Sequence, residues 1–349
     1  MKTCAAILIF VLAFVLASIA AAQASQPLQD VQAAIGRKDY ATALRLVRPL
    51  AQGGDPNAQS MLGTMYALGL GVSRSESEAV NWFRKAAEQG HPTAQGNLGM
   101  AYLSGQGVKQ NYTEAATWLR KAADQNDPLA QANLGSMYAR GEGIKKDPVQ
   151  AVAWYRKAAD QGVAGAQYSL GVAYANGIGI AKNDAEAVSW FRKAADQGIP
   201  EAQASLGMVY AIGLGVAKNP AEAVKWAGKA ARQGIPQGQE SLRGLALEGY
   251  APAQNELGMT YEKGWGSLKI EAEAVNWYRQ AAQQKFAAGQ FNLGRMYAAG
   301  KGTRQSDVEA YRWFALAAAQ GNQDARKQMA EVAKRLTPEQ IAQARPAAP

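Results

Sequence analysis

Ala94-Gln95-Gly96-Asn97-Leu98-Gly99-Met100-Ala101-Tyr102, followed by Gly105-Gln106-Gly107 and then by Glu114-Ala115-Ala116-Thr117-Trp118-Leu119-Arg120-Lys121-Ala122-Ala123, is the stretch that decides the fold. Ala94, Leu98 and Tyr102 fall on one helical face, at i, i+4 and i+8. Gly99 lies beside that face. Its bare backbone lets a neighbouring helix come close, at a cost of about 1 kcal/mol in helix propensity. Gly105-Gln106-Gly107 ends the helix, because glycine readily takes the left-handed cap conformation. A second helix follows; in the preceding copy its apolar stripe is Ala79, Trp82, Phe83, Ala86 and Ala87.

This stretch recurs every 36 residues. Leu62, Leu98, Leu134, Leu170, Leu206 and Leu242 keep that spacing, as do Leu257 and Leu293. A glutamine precedes each leucine by three positions, from Gln59 to Gln290. Seven full units begin at Ala58, Ala94, Ala130, Ala166, Ala202, Ala253 and Gly289. Pro56, Pro92, Pro128, Pro200 and Pro236 stand at the first turn of their helices, where proline is tolerated. One Trp per unit, from Trp82 to Trp313, is expected to build a core ladder. A hairpin alone exposes an apolar face, and stacking buries it against the next, so the array reads as a solenoid.

The pattern Ala-x-x-x-Leu-Gly-x-x-Tyr, Gly-x-Gly, Glu-Ala-x-x-Trp, Lys-Ala-Ala resembles Sel1-like repeats, relatives of the tetratricopeptide class. The resemblance covers residues 58–324. It implies an all-α fold, a right-handed α/α superhelical solenoid of Sel1-like hairpins, and a role in protein–protein interaction. Some secreted relatives pair cysteines within each repeat; this chain lacks those cysteines.

Residues 1–24 read as a signal peptide: Lys2, an uncharged apolar run from Cys4 to Ala22, and the small-x-small site Ala22-Gln23-Ala24. Cleavage after Ala24 or Ala22 would deliver the chain to the periplasm or medium without stable membrane insertion. Residues 25–57 are expected to form a capping hairpin, 58–237 five repeats, 238–252 a truncated repeat, 253–324 two repeats, and 325–349 a closing helix and tail. The 15-residue unit Gly238–Pro252 removes the loop and most of one second helix. The array is expected to change direction there, or to absorb the deletion by repacking.

The chain has 349 residues with a single His and a single Cys, which weighs against most His- and Cys-based catalysis and against the usual zinc sites. No phosphate loop or nucleophile elbow is present. Glu78, Glu114, Glu186, Glu222, Glu273 and Glu309 recur in one column, a structural signature and not a paired catalytic site. We therefore expect no enzyme activity, cofactor or metal, with a glycan-cleaving enzyme the remotest alternative. The 37 basic residues against 28 acidic favour acidic partners weakly. Export argues against nucleic acid. The expected partner is a protein, with an anionic cell-wall glycan or exopolysaccharide as the second class.

Columns that vary between units are free to carry recognition. Two such columns share a face of the first helices: Thr64, Met100, Ser136, Val172, Met208, Met259 and Arg295, and, one turn on, Leu68, Ser104, Arg140, Asn176, Ile212, Lys263 and Ala299. In related solenoids the first helices line the concave surface, so the partner-binding face is placed there. Trp265, on a Gly-flanked loop, reads either as a contact anchor or as folding back on the shortened unit. The Asn97, Asn133, Ser169, Ser205, Ser241 and Asn292 column is expected to hydrogen-bond between adjacent units. Arg84-Lys85 and its equivalents are expected to pair locally with acids such as Glu88 and Asp124. His91 reads as an exposed turn residue.

Overall fold

The computed structural model describes residues 26–344; the signal peptide expected at 1–24 and the tail from Arg345 lie outside the described residues. The described residues form nineteen helices and no strand. An opening hairpin of α1 (Gln26–Gly36) and α2 (Tyr40–Gln52) is followed by five regular hairpins: α3 (Pro56–Leu68) with α4 (Glu76–Glu88), α5 (Pro92–Ser104) with α6 (Tyr112–Asp124), α7 (Pro128–Arg140) with α8 (Pro148–Asp160), α9 (Ala164–Asn176) with α10 (Asp184–Asp196), and α11 (Pro200–Ile212) with α12 (Pro220–Arg232). The helix α13 (Pro236–Leu247) stands alone. Then come α14 (Ala251–Lys263) with α15 (Glu271–Gln283), α16 (Ala287–Ala299) with α17 (Asp307–Ala319), and the closing helices α18 (Gln323–Ala333) and α19 (Pro338–Ala344). The chain divides into two compact units, one holding residues to Ala166 with Ile178–Ile180, the other Gln167–Gly177 with the chain from Ala181.

Each hairpin closes on the first-helix glycine. A Cβ at Gly99 would stand 2.7 Å from Leu119, so the two helices meet where that side chain is missing. The loop glycines divide two tasks. Gly105 caps α5 in the left-handed region, and a Cβ on Gly107 would lie 2.2 Å from the Glu76 carbonyl oxygen, so only glycine lets this loop rest on the start of the preceding second helix.

The core rung on most second helices is the residue after the tryptophan; on α8 it is Trp154 itself. Phe83, Leu119, Phe191 and Phe314 are buried, whereas Trp82, Trp118, Trp277 and Trp313 are only half-buried. Trp154, Trp190 and Trp226 are buried as the expected core ladder requires, and the other four depart from it. A lysine three residues on covers the ring: Lys85 over Trp82 at 4.1 Å, Lys121 over Trp118 at 4.0 Å, Lys193 over Trp190 at 3.8 Å. The arginines also depart from expectation. Arg84 donates to the Tyr102 hydroxyl of the next unit at 3.0 Å, Arg120 pairs with Tyr138, and Arg192 lies over Tyr210. Each of these guanidinium groups engages a tyrosine of the next unit, eighteen residues on.

Beneath these lies a buried glutamine ladder. Gln131, 2% exposed, donates to the Ala123 carbonyl at 3.2 Å and accepts from Gln161 at 2.8 Å. Gln95, Gln203 and Gln290 repeat both bonds, each joining the second helix before it to the turn after it. By contrast the Asn/Ser column bonds mostly back within its own helix, as Asn133 does to Leu129, Ser205 to Glu201 and Ser241 to Gln237. Its Asn292 also reaches another unit, donating to Asn255 at 2.8 Å, and Ser205 also meets the Tyr168 hydroxyl of the preceding unit.

Helix α13 serves in two registers at once. Toward α12 it stacks as a first helix: Gly238 rests on Ala230 and Ala231, as Gly289 rests on Ala281 and Ala282. Toward α14 it stacks as a second helix: Gln254 donates to the Ala246 carbonyl at 3.0 Å, as Gln203 does to Ala195, and Gly266 faces Ile235 and Pro236 as Gly215 faces Asp184. The flanking hairpin loops therefore lie at opposite ends of α13. Lys218 of one meets Glu248 beyond its C-terminus at 2.9 Å, and Gly266 of the other sits at its N-terminus. First and second helices change layers across it, and α14 packs on α12 as well as on α13.

Helix caps follow the sequence with one surprise. Asp55 and Asp127 cap α3 and α7, and His91 caps α5. Its Nδ1 accepts from the Ala94 amide at 3.2 Å and its Nε2 meets Asn57 at 3.2 Å, so His91 is not the plain exposed turn residue of the sequence reading. Nδ1 can accept only when the ring is neutral. Burial pushes its pKa below the ordinary 6.5, although Asp55 pulls upward. The folded chain therefore binds this proton less readily than the unfolded chain. The cap's contribution is complete above about pH 6.5 and is lost as pH falls below it.

Two outcomes follow from these bonds. Gln131→Ala removes the buried side-chain bonds to the Ala123 carbonyl and to Gln161, and urea unfolding should show a loss of about 1–3 kcal/mol. Lowering pH from about 7.5 to about 5.5 should cost the wild-type chain up to about 1 kcal/mol through His91, a component that His91→Asp, which keeps a capping oxygen, should remove.

Candidate interaction site

The variable columns occupy solvent-facing positions in both compact units. In the first, Leu68, Ser104 and Arg140 are exposed, and Thr64, Met100 and Ser136 are half-buried on the same faces of α3, α5 and α7. The two hydroxyls Thr64 and Ser104 are turned back onto carbonyls of their own helices, Ser60 and Met100. Arg140 pairs with Glu142 at 3.1 Å. In the second unit Asn176 and Met208 are exposed, Met208 at 49% beside Ile212 at 62%.

The remaining predicted residues lie in the other layer. The exchange at α13 puts Met259, Lys263 and Arg295 on α14 and α16, beside α12, while Met208 stays with α11 and α13. The single continuous face expected from the sequence is divided there. Trp265 is half-buried beneath Arg232, whose guanidinium stands 5.6 Å from its ring, so it folds back on the helix before the shortened unit.

A polar network draws three of these helices together. Glu262 is 5% exposed. It accepts from the Tyr278 hydroxyl at 2.7 Å and from Arg295 at 3.0 Å, with Lys263 at 3.6 Å. Arg295 also donates to Asn292 at 2.9 Å, which in turn reaches Asn255. On α14, Glu256, Met259 and Lys263 lie at i, i+3 and i+7, one face. Glu256 pairs with Arg232 of α12.

Burial alone would push the Glu262 carboxyl up. The Tyr278 hydroxyl, Arg295 and Lys263 outweigh it and hold the carboxyl below its ordinary value. Glu256, with burial opposed only by Arg232, stays above its ordinary value, and burial with the neighbouring Glu262 carboxylate drives the Tyr278 hydroxyl far up. Its proton therefore stays on oxygen as a donor.

The sequence reading named Met259, Lys263, Arg295 and Trp265 but missed Arg232, Glu256, Glu262 and Tyr278. The signal lay in columns that break their own rule. Glu262 stands where the other units carry Ala67, Leu103, Ala139, Ala175, Ala211 and Ala298. Arg232 stands where Glu88, Asp124, Asp160 and Asp196 stand. Arg232 answers Glu256 of α14, and Glu262 answers Arg295 of α16.

No three His, Cys, Asp or Glu side chains among the described residues come together to hold a metal ion. No described helix is long and apolar enough to cross a membrane. The recurrent Glu column serves structure where it is engaged: Glu222 accepts from the Trp226 indole at 2.9 Å.

Seven stretches of the chain match the Sel1 repeat, at residues 56–91, 92–127, 128–163, 164–199, 200–235, 251–286 and 287–322. The chain belongs to the Sel1 repeat family. The Sel1 matches stop at 235 and resume at 251, and α13 fills the gap. Among solved structures, a protective antigen of uropathogenic Escherichia coli strains displaying an SLR fold is 34% identical, with a TM-score of 0.55, over 87% of this chain and 70% of that one. A Sel1 repeat protein from Oxalobacter formigenes is 33% identical, with a TM-score of 0.51, over 83% of this chain and 80% of that one. No curated protein matches the chain. Sel1 repeats mediate protein interactions and are generally non-catalytic, which sets the coarse role of this solenoid.

The buried carboxylate gives a double-mutant test. Arg295→Met should destabilise the chain by about 2–3 kcal/mol in urea unfolding, because Glu262 then loses its main cation. Adding Glu262→Leu should recover most of that loss, since the same column is apolar in the other units.

Proposed function

We propose that the chain is an exported, non-catalytic scaffold of the bacterial envelope or the secreted fraction, which binds a protein partner through the exposed faces of its first helices. One observation carries this reading. Stacking positions barely vary between units, whereas Leu68, Arg140, Ile212 and Lys263 differ in chemistry at equivalent, exposed positions. Positions that need not vary for stacking and present apolar and basic groups to solvent are suited to recognising a protein. The apolar run from Cys4 to Ala22 supports export. A relative described as a protective antigen in uropathogenic strains is in keeping with it.

The glycan alternative loses its main support if Trp265 is the stacking platform it requires, because Arg232 covers that ring.

Affinity capture from the envelope extract of the source organism, with residues 25–349 as bait, tests the reading. Three baits are compared with the parent: Arg140→Glu, Met208→Glu with Ile212→Glu, and Lys263→Glu, each checked for unchanged helix content. A protein lost from at least one of these baits is the expected result. Capture of no protein, or retention of glycan alone, would overturn the proposal.

A further inference from the structure

The exchange of layers at α13 places side by side cations that the repeat pattern keeps apart. Lys229 and Arg232 belong to a second helix, α12; Lys263 and Arg295 belong to first helices, α14 and α16. In a regular array these sets lie in different layers. Here α12, α14 and α16 are neighbours.

Contacts run across all three helices. Lys229 and Arg232 lie at i and i+3 on α12, and Lys229 rests on the Trp226 ring at 4.3 Å. Arg232 spans to α14 through Glu256 and the Trp265 ring. Lys263 follows on the Glu256 face of α14, and Glu262 joins it to Arg295. The cationic heads reach solvent, with side-chain exposures of 43% for Arg232, 49% for Lys263 and 37% for Arg295. Their carboxylates lie beneath, Glu256 at 12% and Glu262 at 5%. Four cations thus face outward over two sunken acids, leaving a basic surface edged by the half-buried Trp265 and Met259.

The sunken acids also fix the cations in place. A lysine or arginine free in solvent samples many rotamers, and ordering it on binding is costly. Arg232 and Arg295 are already held by Glu256 and Glu262. Burying two carboxylates is itself unfavourable without a use for the geometry they impose. Glu262 does so where the equivalent positions are apolar.

We infer that the face formed by α12, α14 and α16 docks an acidic peptide segment of the protein partner, its carboxylates meeting Lys229, Lys263 and the outer edges of Arg232 and Arg295. This rests on the interaction-scaffold reading and adds the chemistry of the partner. A peptide fits better than an anionic glycan, because the cations are set in a patch three helices wide and the adjoining Met259 offers apolar contact.

The test uses residues 25–349 and a fluorescein-labelled decaglutamate peptide, with decaglutamine as its neutral counterpart and an oligogalacturonate as an anionic glycan. The patch variant is Lys229→Glu with Lys263→Glu. The control variant, Lys145→Glu with Lys146→Glu, makes the same change of net charge on exposed loop residues of the other compact unit. Fluorescence anisotropy at about 50 mM salt should show decaglutamate bound in preference to decaglutamine, weakened at about 300 mM salt by screening. The patch variant should lose about tenfold or more in affinity and the control variant should not. Equal loss in both variants, no preference over decaglutamine, or tighter binding of the oligogalacturonate would each overturn the acidic-peptide assignment. Those results leave the scaffold reading untouched, because that one stands or falls on whether the envelope capture yields a protein lost with the Arg140, Met208 or Lys263 baits.

Discussion

A buried primary amide needs partners for its N–H groups and its carbonyl, and the glutamine ladder supplies them from two neighbouring elements at once. Gln131 joins the Ala123 carbonyl, eight residues back, to the Gln161 amide, 30 residues on. That double bond ties the end of one second helix, the body of the next first helix and the turn that follows. An apolar residue could fill the same volume, but it would tolerate a slipped stack. The amide does not, because a shifted neighbour leaves it unsatisfied at a cost of about 1–3 kcal/mol. The ladder therefore keeps the unit at one length, and the loop and first-helix glycines let the backbones approach closely enough to make these bonds.

The ladder breaks once, and the consequences gather there. Gln239 of α13 bonds Thr260 at 3.2 Å and Ser267 at 2.9 Å instead of the usual alanine carbonyl and glutamine. The ladder resumes at Gln254, which accepts from Gln284 at 2.7 Å. Thr260 is fully buried where other units carry Met65, Met137 or Val209, so its hydroxyl replaces apolar bulk only where Gln239 needs a partner. The same neighbourhood holds Glu256, Glu262, Asn255 and Arg295. Buried polar groups in an apolar stack are expensive singly, and they persist here as a connected set in which each answers another.

Much of the architecture was legible from sequence because it is written locally and repeated. The helix boundaries follow from Pro and Asp at one end and the left-handed glycine at the other, and seven copies average out accidents. Trp154, Trp190 and Trp226 are core residues as read, but Trp82 and Trp118 misled because a large apolar ring at helical spacing resembles a core residue, whereas here its outer face holds a lysine. His91 misled because its role is a bond to a backbone amide three residues on, which residue type alone does not signal. The arginines misled because an acid four residues away is visible in the sequence and a tyrosine eighteen residues away is not, although Tyr102 and Tyr138 keep that spacing throughout.

The double register of α13 was hidden for a different reason: its sequence satisfies both readings. Aligned as a first helix, Leu242 falls with Leu206; aligned as a second helix, it falls with Phe83. Gly238, Leu242 and Ala246 are buried under either alignment, so periodicity cannot choose between them. Only the bonds on its two sides show that it does both. A helix able to end one array and begin another in exchanged layers is therefore nearly silent in composition. The residues that register the exchange are its neighbours: Arg232, in an acidic column, meets Glu256 across a seam that the regular repeat does not contain, and Glu262, in an otherwise apolar column, is held by Tyr278 and Arg295.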